Sequence, residues 1–431
     1  MLPKNLWGWV AIIVLAVSPL PLWFFALPFA YRFNSTQAAL TSLGQLSSLV
    51  GLVLFACTLI LSSRLKLFES YFGGLNRAYI ANHYFGIIAF ILFLLHPVFL
   101  ASAYLPAAIN LAANIFFPST TDWAKNLGQA GLYLMISLML VTLFVKLPYH
   151  FWKLTHKFMG LAFLLGAAHS LFISSDISRF LPLKIYFGII ILVAIISYMY
   201  RTVLGKFLVP KTPAVVVSIK NLSRDTVEIE LEPLNKKLKF VAGQFLFVSF
   251  PQSPAGAEWH PFSIVSSPSQ DHICIAIKAL GDYTNLVSSL HPESQALIEG
   301  PFGQFFYQTG KKSQIWVAGG IGVTPFVSMA RSLESDYDVH LFYSVKDRSE
   351  AVYYDDLKKI GSENVHFDVF LHESKSLGRL TADVIKEKSG EILGKEFFIC
   401  GPPMMMKSLR TQLNKMGIRN GRIHTEEFSL E

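Results

Sequence analysis

Six long apolar stretches fill the first half of the chain and limit what it can become. They run over about residues 7–30, 41–63, 79–104, 127–147, 154–174 and 181–204. A helix of about 20 apolar residues crosses the roughly 30 Å hydrocarbon core of a bilayer, so each stretch is a candidate span. Pro19 and Pro21 make the first irregular. That stretch is long, has no clear small-residue cleavage site and is followed by others, so it reads as a retained helix and not a leader. Composition agrees: 52% of the 431 residues are hydrophobic and 15% charged, a balance suited to lipid. The net charge of +8 does not point to nucleic acid, because the basic residues flank apolar segments instead of forming one run. Arg64, Lys66, Arg77, Lys146, Lys153, Lys157, Arg201, Lys206 and Lys211 fall on one side of the stretches, against Arg32, Lys125 and Arg179 on the other. The positive-inside bias then places both termini in the cytoplasm and the chain in the cell membrane, which requires an even number of spans. Cys57, Cys274 and Cys400 are scattered, with no CxxC, which argues against both a disulfide framework and a thiolate metal site.

Two of the spans carry paired histidines, His83 and His96 in the third, His156 and His169 in the fifth, 13 residues apart in both cases. Thirteen residues of helix are about 20 Å, most of the hydrocarbon thickness. The two spans have the same parity and run in the same direction, so His83 faces His156 near the inner surface and His96 faces His169 near the outer one. Intramembrane ionisable residues mark function by default, and neutral imidazole is a good axial ligand for haem iron. Two stacked bis-histidine b-type haems follow. Gly86, Gly160 and Gly166 lie about one turn from these histidines and would leave room for a flat macrocycle. Thirteen ideal helical steps leave the two histidines of a span about 140° apart around the axis, so a tilt, bulge or bend must intervene; Pro97 offers one place. The bland alternative is satisfied polar residues between helices. His150 reads as an ordinary loop residue.

Beyond residue 211 the pattern changes. "AVVVSIK" and "QFLFVSF" read as strands between Gly/Pro turns. From about 313, "QIWVAGG", "DVHLFYS" and "EFFICG" alternate with helical stretches, the rhythm of a parallel α/β sheet. "VAGGIGVTPF" follows a strand and opens a helix, so its glycines would turn backbone N–H groups towards a phosphate. It lacks the GxGxxG spacing of a standard dinucleotide fold.

In this order the motifs resemble the NADPH oxidase and ferric reductase superfamily, whose soluble half looks like ferredoxin–NADP reductase. The matching features are the four histidines, "FGGLNR" before the third span, "FVAGQF" at 240–245, "HPFSI" at 260–264, "GPFG" at 300–303, "GGIGVTPF" at 319–326, "CGPP" at 400–403 and a terminal "EEF". The resemblance implies a multidomain chain: a six-helix transmembrane di-haem bundle over 1–208, an antiparallel β-barrel FAD-binding domain over 209–308 and an α/β NADPH-binding domain over 309–431. It implies that Gln244, His260, Pro261, Phe262, Ser263 and Gly300 surround FAD, with Pro261 on an edge strand and the Ser263 hydroxyl near the reactive flavin nitrogen. Gly281 and Thr284 of "LGDYT" correspond to a pyrophosphate segment, where Lys278 either adds charge or is a solvated strand residue. Gly319, Gly320, Gly322, Thr324, Pro325, Gly401 and Pro402 correspond to the nicotinamide nucleotide site. Cys400 corresponds to the hydride-transfer point, unless it is a buried structural cysteine. Glu426 resembles an acidic partner there, and Phe428 an aromatic that covers the flavin. Lys346 and Arg348 suit the 2′-phosphate of NADPH or form an exposed charged turn, which leaves NADH possible.

The function implied is electron transfer from cytoplasmic NADPH through FAD and two b-type haems to O2 outside, giving superoxide. The flavin converts the electron pair of a hydride into single electrons. A ferric or cupric chelate reductase would use the same path. Oxidases of the eukaryotic type have an arginine at the outer end of the second span; here Gln45 aligns there, and Arg32 either stands in for it or is an ordinary interface arginine. Two other readings are a non-enzymatic haem membrane protein and a quinol-linked cytochrome b; the intact nucleotide motifs argue against both. With no cytoplasmic appendage for calcium or partner control, an obligatory regulatory subunit is not expected.

Overall fold

The computed structural model describes residues 4–118, 121–147, 149–252, 256–287 and 290–427. The chain forms two compact units, Met1–Val209 and Pro210–Glu431.

The first unit is all helical: α1 (Trp7–Val17), α2 (Pro19–Ala26), α3 (Phe29–Arg32), α4 (Thr36–Ser62), α5 (Lys66–Phe72), α6 (Leu75–Ser102), α7 (Ile109–Phe116), α8 (Trp123–Phe144), α9 (Tyr149–Lys157), α10 (Met159–Phe172), α11 (Asp176–Arg179), α12 (Leu181–Tyr198) and α13 (Gly205–Leu208). Among the described residues, five helical segments are long and apolar enough to cross a membrane: 4–26, 36–62, 75–102, 123–144 and 181–203. The stretch expected as a sixth, 154–174, is divided at Phe158 between α9 and α10. His150, expected in a loop, lies within α9. The irregularity expected in the first stretch falls at Ser18, directly before Pro19, while α6 continues through Pro97.

α4 is the central helix, with Val53 and Ala56 wholly buried. Ser35 caps it by accepting from the Ala38 N–H at 3.1 Å. Small residues set the closest helix pairs. A Cβ at Gly44 would stand 2.9 Å from Leu100, and one at Gly51 3.2 Å from the Phe93 ring, so α4 and α6 meet along these glycines. Gly131 does the same for α8 against α10, where a Cβ would lie 3.1 Å from the Ala162 carbonyl.

The second unit contains two sheets. The first has order β4-β3-β6-β1-β2-β5, from β1 (Thr212–Asn221), β2 (Thr226–Pro233), β3 (Phe245–Ser249), β4 (His260–Ser263), β5 (Ile273–Lys278) and β6 (Gln295–Phe302), with the short helix α14 (Asp282–Leu286) after β5. Its described pairings are antiparallel, and a single bridge between Ile264 and Ile275 joins its two edges. β4 is an edge strand, where Pro261 withholds no ladder donor. The second sheet is parallel, with order β11-β10-β7-β8-β9. It comprises β7 (Ser313–Gly319), β8 (Asp338–Val345), β9 (Phe367–Glu373), β10 (Glu396–Cys400) and β11 (Ile423–Glu426), with helices α15 (Thr324–Ala330), α16 (Tyr354–Glu363), α17 (Ser374–Leu377), α18 (Ala382–Ser389) and α19 (Pro403–Lys415). β7 and β10 are buried on both faces, which is why they read as unbroken apolar runs.

Candidate functional site

In the helical unit, α6 and α10 bring His96 and His169 together with ring centroids 6.5 Å apart. Each ring is tied from behind. Nδ1–H of His96 donates to the Gly44 carbonyl and Nδ1–H of His169 to the Ala124 carbonyl, both at 2.8 Å. A carbonyl only accepts, so both rings carry the proton on Nδ1 and leave the Nε2 lone pair free. An iron about 2 Å from each Nε2 places the two ring centroids roughly 6–7 Å apart, once the ring radius is added. The observed spacing fits a bis-histidine iron, and backbone carbonyls are the usual outer partners of metal-bound imidazole.

The pair lines a cavity of about 450 Å³ walled by Leu49, Leu52, Phe93, Leu132, Met135 and Phe163. Gly166 lines it as well, and a Cβ there would meet nothing within 4 Å. Gly128 serves the ligand instead: its Cβ would lie 2.7 Å from the His169 ring. Of the glycines expected to make room, Gly166 stands beside open space, a Cβ at Gly86 would lie 3.9 Å from Thr58, and Gly160 leaves none, because Tyr198 fills its position. His83 and His156 have no ring contact with each other among the described residues, and both are exposed in the isolated chain. The break between α9 and α10 lies between His156 and His169, whereas α6 runs without a break from His83 to His96.

Arg32 corrects the expectation of an ordinary interface arginine. It is 2% exposed. Its guanidinium lies over the Trp23 ring at 3.5 Å, pairs with Asp176 at 2.9 Å and donates to Gln45 Oε1 at 3.3 Å and to the Leu27 and Trp23 carbonyls. Trp23, Gln45 and Asp176 all line the cavity of the histidine pair. No periodicity announces this cluster, since its members come from α2, α3, α4 and α11.

In the second unit, strand order reverses between β7 and its neighbours β8 and β10, the point at which open α/β sheets bind ligands beyond their carboxyl ends. Gly319–Thr324 and Cys400–Pro402 meet there. Two glycines of "GGIGVTPF" serve that junction: a Cβ at Gly322 would lie 2.5 Å from the Cys400 carbonyl, and one at Gly319 2.7 Å from Pro402 and Met405. Gly320, at φ +54°, has nothing within 4 Å and is the glycine whose backbone a ligand can approach. Thr324 Oγ1 donates to the Ile321 carbonyl at 2.9 Å, and Pro325 opens α15. Cys400 and Glu426 are register partners at the ends of β10 and β11, both buried. Burial, with the Glu426 carboxylate adding to it, pushes the Cys400 thiol well above its ordinary pKa, so it stays protonated. Phe428 lies outside the described residues.

On the first sheet, Ser263 is buried opposite Phe245, and Phe262 and Pro261 pair with Leu246 and Phe247. The His260 ring stacks on Tyr283 at 3.7 Å, and His260 Nε2 lies 3.1 Å from Glu258. The Tyr283 hydroxyl is buried without a hydrogen-bond partner among the described residues. A Cβ at Gly281 would enter open space. This edge therefore offers an orphaned polar atom and an open glycine, a fit for a bound flavin nucleotide. Gln244 braces its own turn, accepting from the Val241 N–H at 2.9 Å and donating to the Gly303 carbonyl at 3.1 Å. Thr284 Oγ1 likewise accepts from the Leu280 and Gly281 N–H groups at 2.9 Å. Gly300 adopts φ +139° between Phe302 and Leu246. Lys278 is neither free nor simply solvated: it bridges Asp225 at 3.3 Å and Glu350 at 3.2 Å. Arg348 pairs with Asp355 at 2.6 Å and lies over the Tyr354 ring, while Lys346 is exposed.

Residues 47–167 match the ferric reductase like transmembrane component family, 212–322 an FAD-binding domain and 316–411 the oxidoreductase NAD-binding domain. NADPH oxidase 3 of Rattus norvegicus is 34% identical over 134 residues, which cover 27% of this chain and 23% of that protein. Phenol hydroxylase P5 protein of Acinetobacter pittii is 30% identical over 247 residues, 51% of this chain and 66% of that one. Among solved structures, flavohemoglobin from Malassezia yamatoensis is 16% identical at a TM-score of 0.53, covering 91% of this chain and 98% of that one, a likeness of fold alone. The chain thus spans less than two thirds of these curated relatives. Fold and matches together give a helical unit with a ferric reductase like transmembrane component ahead of a region that matches FAD- and NAD-binding oxidoreductase domains. The three matches, in this order along the chain, support its resemblance to the NADPH oxidase and ferric reductase superfamily.

Proposed function

We propose that this chain carries electrons from NADPH on the cytoplasmic side, by way of FAD and two b-type haems, to O2 on the outer face, producing superoxide. The observation that carries this reading is the His96–His169 pair, 6.5 Å apart between centroids with both Nδ1–H groups committed to carbonyls. When bound, FAD would take up one hydride, and with it an electron pair, and pass the electrons on singly to haem iron.

The residues around those groups have positional tasks. His96 and His169 hold the outer haem, and His83 and His156 the inner one. Leu49, Leu52, Phe93 and Phe163 keep the outer cavity apolar. That excludes water and favours a ligand with a large apolar face. Gly320 admits the nucleotide phosphates to the β7–α15 turn. The protonated, uncharged Cys400 and the adjacent Glu426 frame the nicotinamide, and Ser263 the flavin edge. Arg348, stacked on Tyr354, and Lys346 supply positive charge for a 2′-phosphate. We place six spans in the cell membrane, with α9 and α10 as one interrupted crossing, both termini cytoplasmic, and the three domains at 1–208, 209–308 and 309–431.

Purified protein in detergent with FAD and NADPH under air tests the acceptor. Cytochrome c reduction that superoxide dismutase suppresses, and that His96→Ala abolishes, is the expected result. NADPH oxidation that needs a ferric chelate, with little superoxide in air, would overturn oxygen and make the chain a transmembrane metal reductase.

A further inference from the structure

We infer that the loop between β2 and β3 is a docking surface for anionic lipid headgroups. Residues 234–241 read Leu-Asn-Lys-Lys-Leu-Lys-Phe-Val. The loop alternates: Leu238 and Phe240 pack against the core of the first sheet, while Lys236, Lys237, Lys239 and Val241 are exposed. Leu234, exposed as well, bounds the loop at its other end. Two half-buried anchors and the brace from Gln244 to the Val241 N–H at 2.9 Å hold the lysines facing outward together. Three cations between exposed apolar residues are the composition of a membrane-surface contact, not of an ordinary solvated turn.

The position of the loop names the partner. The Leu234 N–H donates to the Pro213 carbonyl at 2.9 Å, and Ala214 is the register partner of Pro233. The loop thus sits at the end of the sheet where the chain arrives from the helical unit, whose last residue is Val209. Pro213 follows it by four residues, and fully extended chain covers about 3.3–3.6 Å per residue. Covalent continuity therefore limits the chain between Val209 and Pro213 to about 14 Å. At the same end, Lys211 lies over the Trp259 ring at 5.9 Å, an amphipathic aromatic of the kind that favours the headgroup region. Opposing charge is sparse: Asp271 pairs with Lys237 at 2.8 Å, and Glu232 is exposed at the end of β2. Lys236 and Lys239 complement an anionic surface, each contributing about fivefold in partition near it.

The inference does not depend on which acceptor the outer face serves, and its test does not use turnover. The full-length protein is placed in nanodiscs of phosphatidylcholine alone or of a phosphatidylglycerol-rich mixture. Exposed amines are acetylated with a hydroxysuccinimide ester and each lysine is read by mass spectrometry. Lys236 and Lys239 are expected to label several-fold less in the anionic discs and to recover when high salt screens the surface. Lys358 and Lys359, exposed on α16, serve as internal references and should not change. Equal labelling of Lys236 and Lys239 in the two lipids, or a lipid effect that Lys358 and Lys359 share, would overturn the proposal.

Discussion

At the scale of single residues, the outer histidine pair depends on atoms that are not its own. A Cβ at Gly128 would stand 2.7 Å from the His169 ring, and this ring is the one tied to Ala124 O. Gly128→Ala should therefore displace the imidazole and, on the proposed two-haem reading, lower haem content towards one per chain, as His169→Ala should by removing the ligand. Gly188→Ala adds its methyl to open space and should retain full content. Haem assay of the three purified variants by pyridine haemochrome checks this; full content in Gly128→Ala would show that the pair is not held as described. Arg32 belongs at the same scale. A buried guanidinium requires partners that satisfy its charge and donors, and Asp176, Gln45, two carbonyls and the Trp23 ring do so.

At the scale of elements, the two lobes of the second unit are joined by a few directed contacts. Tyr353 precedes α16 with φ +62°, a left-handed conformation that is uncommon for a bulky residue. Its hydroxyl donates to Glu228 on β2 at 2.6 Å. Ser328 on α15 donates to the Ser266 carbonyl at 2.7 Å, and Lys278 on β5 reaches Glu350. A hydrogen bond to a carboxylate contributes about 1.5–3 kcal/mol. Tyr353→Phe should lower the stability of the second unit by that order in chemical denaturation and slow flavin reduction by NADPH in stopped flow. Unchanged values for both would show that the contact does not set the lobes.

At the scale of the whole molecule, the division after Val209 carries its own expectation. Each unit has separate hydrophobic clusters, one in the helices and three in the sheets. Residues 210–431 expressed alone should fold, bind FAD and be reduced by NADPH, yet transfer nothing across a membrane. Recovery only as aggregate would mean that the second unit needs the first in order to fold.

The sequence alone determined the apolar stretches, the meeting of His96 with His169 and the alternation of strands with helices, because lipid burial and parallel-sheet burial each demand residue types at a fixed period. "QIWVAGG", "DVHLFYS" and "EFFICG" stand as β7, β8 and β10, and "HPFSI" begins on the edge strand β4. Tertiary structure decided what period cannot encode. It assigned Gly166 to open space and Gly160 to Tyr198, and Gly320 to an open turn while Gly319 and Gly322 close one. It turned Lys278 into a bridge between lobes and gathered Arg32, Trp23, Gln45 and Asp176 from four helices. The physical reason is the same throughout. A glycine or a charge looks alike in sequence whatever faces it, and what faces it comes from chain far away, brought there only by packing.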